Sequence, residues 1–197
     1  MPKCVISAPN SINYDAQLCS AELVIIKGDI QRINLESINE IQKLGLTKRI
    51  NSALGTLGWL CRRYVAANPA TAQINIDELR KNFKLKRHAL LENELEILIK
   101  NMPLSLNYYL LTKPTSSIID MGENIYYRYC AMCHINPNLD SEIPALSLFN
   151  MAKQLPQKEF FARMIAGVRG TPKILFHNPL SKEDILGMYY FFLKSDN

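Results

Sequence analysis

Gly122-Glu123-Asn124-Ile125-Tyr126-Tyr127-Arg128-Tyr129-Cys130-Ala131-Met132-Cys133-His134 is the stretch whose reading decides the fold of this 197-residue chain. Residues 122–129 read as a short helix leading into two cysteines three positions apart, with a histidine directly after the second. On a helical turn that spacing brings both sulfurs to one side and carries the imidazole beside them. Downstream, Ile143-Pro144-Ala145-Leu146 reads as a loop, 158–166 as a helix and Gly167-Val168-Arg169-Gly170 as its end. Ser181 caps a last helix and Asp184 completes an S-x-x-D box ahead of the apolar run Ile185–Leu193. The expected fold class is all-α.

Upstream, residues 1–20 contain Pro9, Asn10, Ser11 and Asn13 and read as an irregular arm. Leu23-Val24-Ile25-Ile26 is a short apolar run that periodicity assigns to neither helix nor strand. Ile38, Ile41, Leu44 and Leu46 have helical spacing, broken at Gly45. Thr47 is the expected cap of a further helix whose face is Ile50, Leu54, Leu57, Cys61 and Tyr64, ending near Asn68-Pro69. Asp77 is the expected cap of the next, with an apolar stripe of Leu90, Leu91, Leu95, Leu98 and Ile99 that stops at Asn101-Met102-Pro103. Residues 1–103 thus read as three or four packed helices of unknown role. Residues 104–120, with Pro114, Thr115, Ser116 and Ser117, read as a linker to a second unit at 121–197.

Cys130-x-x-Cys133-His134 is the pattern of covalent c-type haem attachment. Each sulfur adds to one vinyl group of the porphyrin, and the adjoining imidazole ligates the iron from the proximal side. Two other readings compete. A redox dithiol of thioredoxin type opens a helix after a strand, and no strand is evident here. A zinc site needs four ligands, to be completed from His88, His177 and the remaining cysteines.

With these residues in view, 121–197 resembles a small class I cytochrome c domain. Gly122 and Tyr126 match the family's glycine and aromatic before the haem motif, where the first and last helices cross. The resemblance implies that Tyr189 or Tyr190 supplies the partner ring. It implies that Pro144 lies in the loop that orients the proximal histidine. It also implies one covalent haem c, His134 as the proximal iron ligand, and single-electron exchange with a redox protein partner or a larger respiratory complex. Attachment of this kind resembles a process outside the bacterial cytoplasm, so a periplasmic location is expected, with an export segment removed from a longer precursor, since none is legible at Met1-Pro2-Lys3.

The chain departs from the family where a distal methionine is expected. Gly167-Val168-Arg169-Gly170-Thr171-Pro172-Lys173-Ile174 has Thr171 or Ile174 at that place, and neither ligates iron. His177, Met164 and Lys173 are the candidate donors, and an open or water-bound iron is the fourth possibility. Met ligation raises the potential relative to His. Met121, Met132, Met151 and Met188 read as core or haem packing, and His88 as a surface residue. The run Tyr189–Phe192 is too aromatic for one stripe and is expected against haem or the N-terminal helices. The departure leaves two further functions open: a structural or assembly subunit that retains the module, and a haem sensor or peroxidase-like protein with an open distal side.

The rest of the composition narrows the classes. Hydrophobic residues make up 48% and charged residues 21%, which excludes a disordered or fibrous chain. No apolar run reaches the roughly 18–20 residues of a membrane-spanning helix. The net charge of +5 has one local cluster, Arg80, Lys81, Lys84, Lys86 and Arg87, which reads as a solvated helix face rather than a nucleic-acid footprint. Of the other cysteines, Cys4 with Cys19 is the expected pairing, against the alternative of three separate thiols at Cys4, Cys19 and Cys61.

Overall fold

A computed structural model describes residues 14–67, 74–110, 113–167 and 180–194. Its elements are α1 (Tyr14–Ile33), α2 (Glu40–Ala67), α3 (Ile76–Lys84), α4 (His88–Asn101), α5 (Asn107–Leu110), α6 (Ser116–Ile125), a π-helical turn (Tyr126–Cys130), α7 (Ala131–His134), α8 (Leu148–Gln154), α9 (Gln157–Ala166) and α10 (Lys182–Lys194). The fold is all-α, and no strand occurs among the described residues. None of these helices is long and apolar enough to cross a membrane.

Helix α1 is the axis on which the rest assembles. One of its faces, Cys19, Leu23, Ile26 and Ile30, is buried in a cluster with Ile50, Leu54 and Leu57 of α2, Leu79 and Phe83 of α3, and Leu91, Leu95 and Leu98 of α4. Another, Ala21 and Ile25, is buried in a second cluster with Tyr109, Tyr126, Phe149, Phe160, Phe161 and Phe192. The arm expected over 1–20 is therefore helical from Tyr14. The segment read as a linker contains α5 and the first part of α6, and both Leu104 and Tyr109 are buried.

Local expectations upstream are corrected in three places. α2 runs unbroken through Gly45 and Thr47, and the Thr47 hydroxyl donates back to Lys43 O at 2.8 Å rather than capping a new helix. The cap of α3 is Asn75, whose Oδ1 accepts from Glu78 N at 3.1 Å, and Asp77 lies in the first turn. The long helix expected from there divides at Lys86, which takes φ of 55°, so α4 begins anew at His88. Cys19 pairs with Cys61 across α1 and α2, whose backbones bring the two Cα atoms to 4.8 Å. The Cys4–Cys19 expectation is thereby overturned. Cys4 itself lies outside the described residues.

The second cluster is built where α6 and α10 cross. A Cβ on Gly122 would lie 2.2 Å from the Gly187 carbonyl carbon, and one on Gly187 would lie 2.2 Å from Ile118 O, so only two glycines allow this approach. One turn beyond, Tyr126 packs against Phe191 and Phe192 of α10 and Phe149 of α8, with ring centroids 5.8, 5.4 and 5.1 Å away. Such pairs contribute about 0.5–1.5 kcal/mol each beyond their buried area. Tyr189 and Tyr190 are not the partner rings expected. Four residues past Gly187 falls Phe191, whereas Tyr189 turns toward α9 and packs at a tilt against Phe161, centroids 4.7 Å apart. The capping box is as expected: Asp184 N donates to Ser181 Oγ (3.1 Å) and Ser181 N to Asp184 Oδ2 (2.8 Å).

Five charged side chains join the two halves. Asp29 and Arg32 of α1, Arg49 of α2, and Glu159 and Arg163 of α9 form one buried network. Arg163 Nη2 lies 2.7 Å from Asp29 Oδ1 and 2.8 Å from Glu159 Oε1. Burial lowers the Arg32 guanidinium from its ordinary value, and neighbouring Arg163 adds to that. At Arg163 burial acts the same way, but Asp29 and Glu159 outweigh it and raise the value.

Candidate functional site

The motif sits at the end of a continuous helical stretch formed by α6, the π-turn and α7. The π-turn delivers Cys130 half-buried, α7 presents Cys133 in the open, and both are free thiols. Such turns inside α-helices recur at functional sites. His134 is the last residue of α7, and its Nδ1 lies 2.6 Å from the Leu146 carbonyl oxygen. A carbonyl oxygen only accepts, so Nδ1 carries the proton and Nε2 keeps its lone pair for a metal. Leu146 N in turn donates to Pro144 O at 3.0 Å. Pro144 thus opens the turn, but the group that orients the histidine is the carbonyl two residues later. A backbone carbonyl has no side-chain signature, and sequence reading had only the proline to point to it.

The surroundings of the motif are apolar and open. Met132 is 93% exposed, and Tyr127, Tyr129, Ile135, Leu139, Ile143 and Leu146 are exposed as well. Met132 is therefore not a core residue. A concentration of large exposed apolar side chains around one motif marks a surface that something covers. Met164, in contrast, is buried in α9 within the aromatic cluster. Lys173 and His177 lie outside the described residues.

The described residues also bear on the competing chemistries. Among the described residues no three His, Cys, Asp or Glu side chains converge to hold a metal ion. His88 accepts or donates at Nδ1 with Asn34 Oδ1 (2.7 Å) and stacks on Phe83, and Cys19 and Cys61 are consumed in the disulfide. A reactive dithiol lowers a thiol pKa. Here burial, helped by neighbouring Cys133, raises that of Cys130. A haem brings its own four equatorial nitrogens, so it would ask of this site one axial imidazole and two thiols, which His134, Cys130 and Cys133 could supply.

Part of the first 103 residues reaches this region. Gln42 Nε2 donates to Leu139 O at 2.9 Å, and Lys48 Nζ lies 2.6 Å from Glu142 Oε1. The basic cluster at Arg80–Arg87 occupies the end of α3 and the turn after it, where cations complement the negative end of a helix. A cleft of about 530 Å³ lined by Gly58, Cys61, Arg62, Val65 and Ile74–Ile76 contains no free thiol and no residue of the motif. No family model, curated protein or solved structure matches the chain.

Proposed function

We propose that the chain is a c-type cytochrome that holds one haem c through Cys130 and Cys133, with His134 Nε2 on the iron, and exchanges single electrons with a protein partner. The observation that carries this reading is the His134 Nδ1–H to Leu146 O hydrogen bond beside two free thiols on the same turn. The bound haem supplies the one-electron couple. The chain's residues do the rest: Cys130 and Cys133 tether, the Leu146 carbonyl fixes the imidazole plane and raises its basicity, and the exposed apolar side chains of Tyr127, Met132, Ile135 and Leu146 are available to cover the group. His177 is the residue proposed for the distal side. The partner is a redox protein or a larger respiratory complex, docked over a small area as electron-transfer encounters are.

A periplasmic setting belongs to the same proposal. The Cys19–Cys61 disulfide supports it, since such bonds persist in oxidising compartments. The test is an intact mass of the matured protein together with a pyridine haemochrome spectrum. The expected results are a mass one haem above the polypeptide and a reversible reduced-minus-oxidised spectrum. A colourless protein with the bare polypeptide mass overturns the reading.

A further inference from the structure

We infer that α2 is the positioning element of the His134 site, holding the 139–142 segment and, through it, the Leu146 carbonyl that fixes the imidazole; this rests on the proposed function. Gln42, Gly45 and Lys48 recur every three residues and so lie along one face of α2. Gln42 holds Leu139 O and Lys48 holds Glu142. Between them, Gly45 is buried, and a Cβ there would lie 2.2 Å from Glu142 O and 2.6 Å from Glu142 C. The ion pair is exposed and weak by itself. Backbone seated on backbone at Gly45 is the decisive contact.

The loop is built to transmit that contact. Ser141 N and Oγ both donate to Asn138 O, and Asp140 N donates to Asn138 Oδ1, which closes 138–141 into a tight turn. Only three residues separate Glu142 from Leu146, and Pro144 fixes one of their backbone angles. α2 itself is anchored elsewhere, by Cys19–Cys61 and by Arg49 on Asp29. A shift of Glu142 therefore moves the loop and not the helix. Loosening the Nδ1–H bond makes the imidazole a poorer donor, which favours the reduced iron and raises the midpoint potential.

Gly45→Ala in the matured holoprotein gives opposite signs for the two cases. In a helix with nothing on it, alanine stabilises relative to glycine. With the loop seated, the methyl group pushes Glu142 away. The expected result is a lower Tm, a higher midpoint potential and faster amide exchange at Leu146, with the haem still covalently attached. A raised Tm with unchanged potential overturns the inference and leaves the cytochrome reading intact. Lys48→Glu is the milder variant: amide exchange at Leu146 should quicken, and Glu142→Lys in the same chain should slow it again. Leu146 exchange unmoved in both Gly45→Ala and Lys48→Glu also overturns the inference. If the wild-type protein carries no haem, the proposed function fails instead, and Leu146 exchange in Gly45→Ala still reports whether α2 holds the loop.

Discussion

Cys130 closes the π-turn half-buried, while Cys133, three residues on in α7, stands exposed, although the motif treats the two sulfurs as equivalent. Burial, with Cys133 beside it, raises the Cys130 pKa from its ordinary value, so at any pH below that value less of it is thiolate, the reactive form. In the haem-free polypeptide, brief alkylation near neutral pH should therefore label Cys133 first, and raising the pH should narrow the gap; peptide mass mapping reads both. Equal labelling at neutral pH would count against the burial of Cys130. The disulfide allows a second expectation at this scale. Cys19 and Cys61 close a loop across 42 positions, for which chain entropy gives about 4 kcal/mol. Replacing both by alanine should lower the free energy of unfolding by that amount without changing the fold, as urea unfolding would measure. This pairing was not legible in the sequence, because it depends on α1 and α2 lying side by side, and Cys19 stood in a segment that carried no helical pattern. The placement of the motif's three side chains on one helical stretch was legible because it is local: both sulfurs and the imidazole fall within five consecutive residues.

At the scale of elements, the crossing of α6 and α10 was half legible. Gly122 and Tyr126 stood out by their place before the motif, but Gly187 was hidden in an apolar helix where a glycine looks like a weakness. The crossing makes it a requirement. Gly122→Ala should destabilise the protein by about 3 kcal/mol or more, because its methyl would meet the Gly187 backbone at 2.2 Å. Helix propensity alone would favour the alanine by up to about 1 kcal/mol, so the sign of the change in denaturation midpoint decides which effect dominates. α1 shows why other elements escaped reading. It buries Cys19, Leu23, Ile26 and Ile30 in one cluster and Ala21 and Ile25 in another, so apolar residues fall on several faces and the 3.6-residue period is lost. The run Leu23–Ile26 was ambiguous for that reason. The C-terminal capping box, in contrast, depends on residues three apart in sequence and was readable from them.

At the scale of the whole molecule, the helices of the first half and the helices around the motif share α1 and the charge network, and their stabilities should be coupled. Asp29 is the centre of that network: its side chain is 2% exposed and meets Arg32, Arg49 and Arg163 at once. Removing it would take from Arg49 the carboxylate it is paired with here and leave Arg32 and Arg163 to share Glu159, with Arg32 and Arg49 a fifth exposed and Arg163 more deeply buried. Breaking a buried pair from one side costs about 3–5 kcal/mol. Asp29→Ala should therefore lower stability by that order. Because α1, α2 and α9 each contribute to the network, the loss should be felt on both sides of it. The wild-type protein should unfold in a single calorimetric transition whose calorimetric and van't Hoff enthalpies agree. In Asp29→Ala that transition should move down as one, and hydrogen exchange should accelerate in α2 and in α9 together. Two resolved transitions in the wild type, with only one of them shifted by Asp29→Ala, would show instead that the halves fold independently and that the network joins them without coupling them.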